Sequence, residues 1–272
     1  MTDTSPGPSA RSLTRAYLWR TTKERKFQLL RFLLPYSAVL LLVFMPRING
    51  NNPGTNGLEV MAEAGYANGI AEPYAANIGG AIQMVPLLAG FLAGIGSAAV
   101  THTFLSTQQT RGEVEMLLAA RYRARDIVTA VIGLSTLLAT LLWATTITLG
   151  TALIALTLAA HSLTITPDPW YLVTFIDLPL LTAICSATIA CALCCAVPTF
   201  ALPSGGNVTG GRGPVAALGM TPGILAAVVY IVVPASSIRA GCIGGIVVLT
   251  AVTISAYFIA VTQFQSEKFI GN

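Results

Sequence analysis

IVTAVIGLSTLLATLLWATTITLGTALIALTLA, residues Ile127–Ala159, decides the fold. It holds no charged residue, and the uncharged run continues to Pro167. A helix of roughly 20 apolar residues crosses the hydrocarbon core of a bilayer. This stretch is longer, which predicts tilt or a protruding end. Its apolar residues are not confined to one face, as they are in a soluble amphipathic helix. Lipid is the solvent that suits them.

Five further stretches lack charge: Phe32–Pro46, Pro73–Thr110, Leu178–Gly211, Gly213–Ile238 and Ala240–Ser266. The composition agrees, with 54% hydrophobic and only 10% charged residues and a mean hydropathy of +0.72, where soluble domains carry about 25% charged residues. The expected fold is an all-α, polytopic membrane protein of about six transmembrane helices. The spans are read at Phe27–Ile48, Asn77–Leu105, Ile127–Ala159, Leu178–Val197, the region around Gly223–Val233, and Cys242–Thr262. Pro222 and Pro234 bracket only a short apolar core in the fifth, which predicts a broken helix or a re-entrant hairpin. Met1–Ala10 is polar and Pro-rich and carries no signal-peptide pattern, so the first span is expected to remain in the mature protein. Residues 1–26 read as a tail and a basic interfacial helix, 27–263 as the six-span domain, and 264–272 as a second tail.

Charge orients the spans. Alternating loops place 13 of the 15 basic residues on one side, leaving Arg47 and Arg239 on the other. The positive-inside rule makes the basic side cytoplasmic, with both termini there, as in a multi-pass protein of a bacterial inner membrane. Glu59, Glu63, Glu72, Asp168 and Asp177 fall outside. The net charge of +4 is thereby explained by orientation and by attraction to anionic headgroups, and nucleic acid is set aside. Arg11–Lys26 reads as an amphipathic helix on the membrane surface, its Leu13, Tyr17, Leu18 and Trp19 suited to the headgroup boundary of the membrane lipid. Trp170 and Tyr171 are expected at interface depth in an outside loop, His161–Asp177.

Reactive chemistry is sparse. Cys185, Cys191, Cys194, Cys195 and Cys242 all fall inside predicted spans, where they read as packing side chains rather than a disulfide framework or a zinc site. The run Gly205–Gly213 lacks the Gly-Lys-Ser/Thr that a phosphate loop needs and reads as a linker. Ser97, between Gly96 and Ala98, reads as a packing residue. His102 and His161 lie at opposite ends of neighbouring spans and share no metal. No ionisable residue sits at mid-depth, where ion-coupled carriers hold one. Energy for any transport must then come from outside the chain. No catalytic, metal or cofactor site is expected.

The most informative loop is Ser106–Val128. It resembles the first cytoplasmic loop of the permeases of type-2 ATP-binding-cassette exporters, which runs Glu-Arg-x-x-Gly-Thr-Leu-Glu-x-Leu-Leu-x-x-Pro before a short basic turn. Gly112, Glu115, Leu117, Leu118, Ala119, Arg125, Asp126 and Ile127 fit that pattern. The tail Phe264–Ile270 is similar to the family's closing aromatic-x-x-Glu-Lys-hydrophobic signature and contains Glu267. With the basic surface helix and the six-span layout, the resemblance covers essentially the whole chain. Gln108 stands where the family often has Glu, Arg121 where it usually has Pro, and Ala130-Val131 where Gly-Lys is common.

The resemblance implies a non-catalytic subunit that pairs with a second permease copy or a homologous permease, and with two ATPase subunits that carry ATP and magnesium. The cargo would be amphipathic: a drug, lipid, peptide or glycoconjugate. Gly112, Glu113, Glu115, Leu117 and Leu118, with Glu267, would couple to the ATPase, since a short surface helix can dock in a partner's groove and pass on rigid-body motion. Gly90 and Gly94, in an uncharged span rich in small residues, are the expected positions on the substrate path. The rival readings are a secondary or uncoupled carrier and a membrane-embedded enzyme.

Overall fold

The computed structural model describes residues 10–24, 74–120, 122–160, 169–197, 215, 218–219, 221–225 and 238–264. The first predicted span, most of the two loops expected outside, the Gly-rich linker, most of the fifth stretch and the tail with Glu267 lie outside the described residues. Six helices order the rest: α1 (Ala10–Glu24), α2 (Tyr74–Thr110), α3 (Glu113–Ala119), α4 (Ala124–Ala160), α5 (Pro169–Ala196) and α6 (Ile238–Gln263). No strand occurs among the described residues. Four of the helices, α2, α4, α5 and α6, are long and apolar enough to cross a membrane.

An apolar solvent leaves the backbone only itself to bond with, and a helix satisfies every internal N–H and C=O. The hydroxyls on these helices follow the same rule. Thr101 donates to the Ser97 carbonyl at 2.8 Å, Thr146 to Leu142 at 2.7 Å and Thr182 to Leu178 at 2.7 Å, each one turn back along its own helix. A threonine in this setting needs no partner elsewhere.

The helices run further than the sequence reading placed them. α5 begins at Pro169, so Trp170 and Tyr171 stand in its first turn rather than in a loop. Proline suits that first position, because its φ is already helical and its missing N–H would have had no acceptor. Pro86 and Pro179 sit within α2 and α5, where each removes a backbone donor.

Small residues bring α2 and α5 together. A Cβ on Gly90 would lie 3.5 Å from Pro179 Cα, and one on Gly94 would lie 3.1 Å from Ser186 Oγ. Ala93, Ala139 and Ala183 close the contact with α4, with Trp143 packed against them. Ser97 crosses the interface and donates to the Ala183 carbonyl at 2.7 Å. Close approach of this kind is how helices associate where no hydrophobic force separates them from lipid. Nearer the α3 end, the main core joins Leu105, Val128, Val131, Leu134, Cys191, Cys194, Cys195, Ala256 and Ala260. All five cysteines are buried. α6 covers this core with one face, and only 17% of its apolar window is buried, against 67% for α2. Val247, Val248, Ile254, Phe258 and Ile259 remain exposed, a surface made for lipid or another helix.

The described part of the fifth stretch packs against α2. A Cβ on Gly219 would fall 2.5 Å from Ala98 Cβ, and one on Gly223 3.2 Å from Phe91 Cα. Numbers rise along one segment as they fall along the other, so the two run antiparallel. Gly219→Ala is expected to destabilise the protein by about 1–3 kcal/mol through this overlap. Ala98→Gly in the same chain should restore most of that loss, as thermal unfolding of the purified single and double variants would read.

Candidate functional site

Between α2 and α4 the chain makes two tight turns around a helix of 7 residues. Thr110 ends α2, and Gly112 then adopts φ 65°, the left-handed conformation that costs any side-chain-bearing residue strain. Backbone bonds hold the described turns on either side of the helix. Gly112 N–H donates to Gln109 at 3.2 Å, Met116 to Gly112 at 3.2 Å, Tyr122 to Leu117 at 3.1 Å and Asp126 to Arg123 at 2.9 Å. Glu113 and Glu115 occupy the first turn of α3, and Asp126 that of α4, where carboxylates suit the helix dipole.

So short a helix does not hold its shape alone. Val114 is buried beneath it, and Leu117 and Leu118 lie half-buried against the main core. Its opposite face is open: Glu115, Ala119 and Ala120 are exposed, and Met116 is 62% exposed. An exposed methionine between a carboxylate and two alanines is a small, adaptable apolar knob.

α1 holds α3 from the side. Arg20 Nη2 meets Glu113 Oε1 at 2.8 Å, with Arg111 Nη1 at 3.8 Å from the same oxygen. Tyr17 packs edge-on against Phe104 of α2, ring centres 5.0 Å apart. Burial above all, with a smaller contribution from the nearby Glu113 carboxylate, raises the Tyr17 phenol to about 12, so the hydroxyl stays protonated. The Gln108 side chain lies beside it, 2% exposed. A carboxylate at that place would be a buried charge needing its own partner; the neutral amide avoids this cost.

The predicted residues therefore divide. Gly112, Glu113, Leu117 and Leu118 build and anchor the loop helix, Glu115 faces outward, and Glu267 lies outside the described residues. Gly90 and Gly94 are buried in the α2–α5 contact, Gly94 some 24 Å along α2 from its Thr110 end. One expectation for α1 is corrected: Leu13 and Tyr17 are buried against protein, not against headgroups, and Trp19 alone of the large apolar group is fully outward. Arg20 and Met116 were not singled out from the sequence. The i, i+4, i+7 spacing of Leu13, Tyr17 and Arg20 puts them on one helix face, which was the available signal for the first.

The ion pair predicts a charge-swap result. Glu113→Arg sets a third cation beside Arg20 and Arg111 and should cost roughly 1–2 kcal/mol in thermal unfolding, between an exposed and a buried pair. Adding Arg20→Glu should recover most of it, with Arg111 preventing full recovery. No recovery would mean that α1 is not held to α3 by this pair.

No family model, curated protein or solved structure matches the chain.

Proposed function

We propose that this chain is the membrane-spanning permease subunit of an ATP-driven exporter of the type-2 ATP-binding-cassette kind. In this reading it crosses a bacterial inner membrane about six times with both termini in the cytoplasm. It pairs with a second copy or a related permease and takes its energy from two separate ATPase subunits, which bind ATP and magnesium. Its cargo is an amphipathic molecule leaving the cytoplasm. The chain itself does no chemistry.

The observation that carries this reading is α3, a short helix set between two membrane-length helices by hydrogen-bonded turns and presenting Glu115 and Met116 outward. A push on that face would travel as a rigid-body displacement into α2 and α4, because the hydrogen-bonded turns and the buried Val114 leave little slack. α1 adds a brace through Arg20. The resemblance of the loop's residues to a known coupling element supports the same assignment.

Purification of the native complex in mild detergent tests it. An ATPase subunit should remain with the chain through affinity and size-exclusion steps, and the preparation should hydrolyse ATP. A chain that purifies without any ATPase under conditions that keep its α-helical fold intact would contradict the reading.

A further inference from the structure

We propose that the outward stripe of α1, Arg11, Arg15, Trp19 and Lys23, is a binding surface for anionic phospholipid headgroups. The inference depends on the membrane fold alone and is independent of the transport reading.

The four residues recur at every fourth position and so share one side of the helix. All four are exposed, Trp19 by 64%. They lie opposite Leu13 and Tyr17, which are buried at 5% and 6%. Among the described side chains of α1, no acidic residue shares the outward side, which also carries Ser12 and Ala16. Lys23 Nζ stands 4.4 Å from the centre of the Trp19 ring, which groups cation and indole into one unit.

The depth of α1 decides what this stripe meets. Thr14 faces Gly133 of α4, with a Cβ there 3.5 Å from Thr14 Oγ1. Tyr17 meets Phe104 of α2. Both partners lie roughly two turns inside the ends of membrane-length helices, not beyond them. α1 therefore flanks the bundle, and what lies outside it is the lipid leaflet near its headgroups. Indole favours that depth, and arginine and lysine reach phosphate there with their stems in the acyl boundary. Each cation near an anionic surface is worth about a fivefold preference. Zwitterionic headgroups offer phosphate as well, but carry their own cation to compete for it.

The sequence holds three tryptophans, so Trp143→Phe with Trp170→Phe leaves Trp19 as the single reporter in the full chain. The chain is reconstituted in vesicles of phosphatidylcholine and phosphatidylglycerol at one fixed ratio, with bromine placed on the acyl chains of one lipid or the other. Brominated phosphatidylglycerol is expected to quench Trp19 beyond its mole fraction, and brominated phosphatidylcholine below it. Arg11→Gln with Arg15→Gln and Lys23→Gln should reduce that preference at least about fivefold, while Arg11→Lys with Arg15→Lys should keep it. Equal quenching by the two lipids in the chain with its stripe intact would overturn the proposal, whatever the variants do. So would quenching by neither, which would place a protein surface over the stripe.

Discussion

Gly94→Leu is expected to leave little folded, monodisperse protein. The Cβ alone would stand 3.1 Å from Ser186 Oγ and 3.6 Å from Thr182 Cγ2, and the remaining carbons of a leucine have no room between α2 and α5. Separating the helices to admit them would break the Ser97 bond to Ala183 and open the contacts of Ala93 and Ala183. Overpacking of this size costs about 3 kcal/mol, sometimes more. Gly94→Ala should be far milder, since a hydroxyl can give way by a few tenths of an ångström. Size-exclusion profiles and thermal unfolding of the two variants would show the contrast. A well-folded Gly94→Leu protein would mean that this position faces an opening, the role first expected of it on the substrate path.

Glu115→Arg is the second large effect, and it should spare the fold. Glu115 is exposed and lies on the outward face of α3, so reversing its charge breaks no side-chain packing and costs only its small contribution to the helix dipole. At a docked interface the same change removes a charge contact, worth about 2–5 kcal/mol where it is desolvated. Substrate-stimulated ATP hydrolysis by the complex should then fall by about 30-fold or more. Glu113→Arg should also lower it, but by a different route, through α1. Arg20→Glu should restore activity to Glu113→Arg and do nothing for Glu115→Arg. Equal rescue of both would remove the distinction between brace and docking face.

The membrane-length helices were legible because their determinant is one-dimensional: an uncharged run long enough to cross a bilayer is visible without knowing its neighbours. α4 shows this, extending only from Ala124 to Ala160 around the stretch read as Ile127–Ala159. Helix starts were less legible. The stretch His161–Asp177 reads as a loop in sequence, whereas Pro169 starts α5 and carries Asp177 inside it. Glu113 and Glu115 look alike in sequence, two residues apart on a helix too short to show a periodicity. What separates them is Arg20, nearly a hundred positions earlier in the chain, and no local pattern reports that contact. Gly90 and Gly94 failed to announce their role for a related reason. A small residue permits close approach by anything, and only the position of Pro179 and Ser186 says that another helix takes the space.

The central claim, that the outer face of α3 receives an ATPase subunit, is tested most directly by cross-linking at Met116. The native cysteines would be replaced, and Met116→Cys introduced with Leu137→Cys as an exposed control on the bundle's side. A short bifunctional thiol-to-amine reagent is expected to join Met116→Cys in the native complex to a subunit carrying a nucleotide-binding motif, while Leu137→Cys yields no such product. Cross-links from Met116→Cys confined to this chain, with an ATPase present or not, would contradict it.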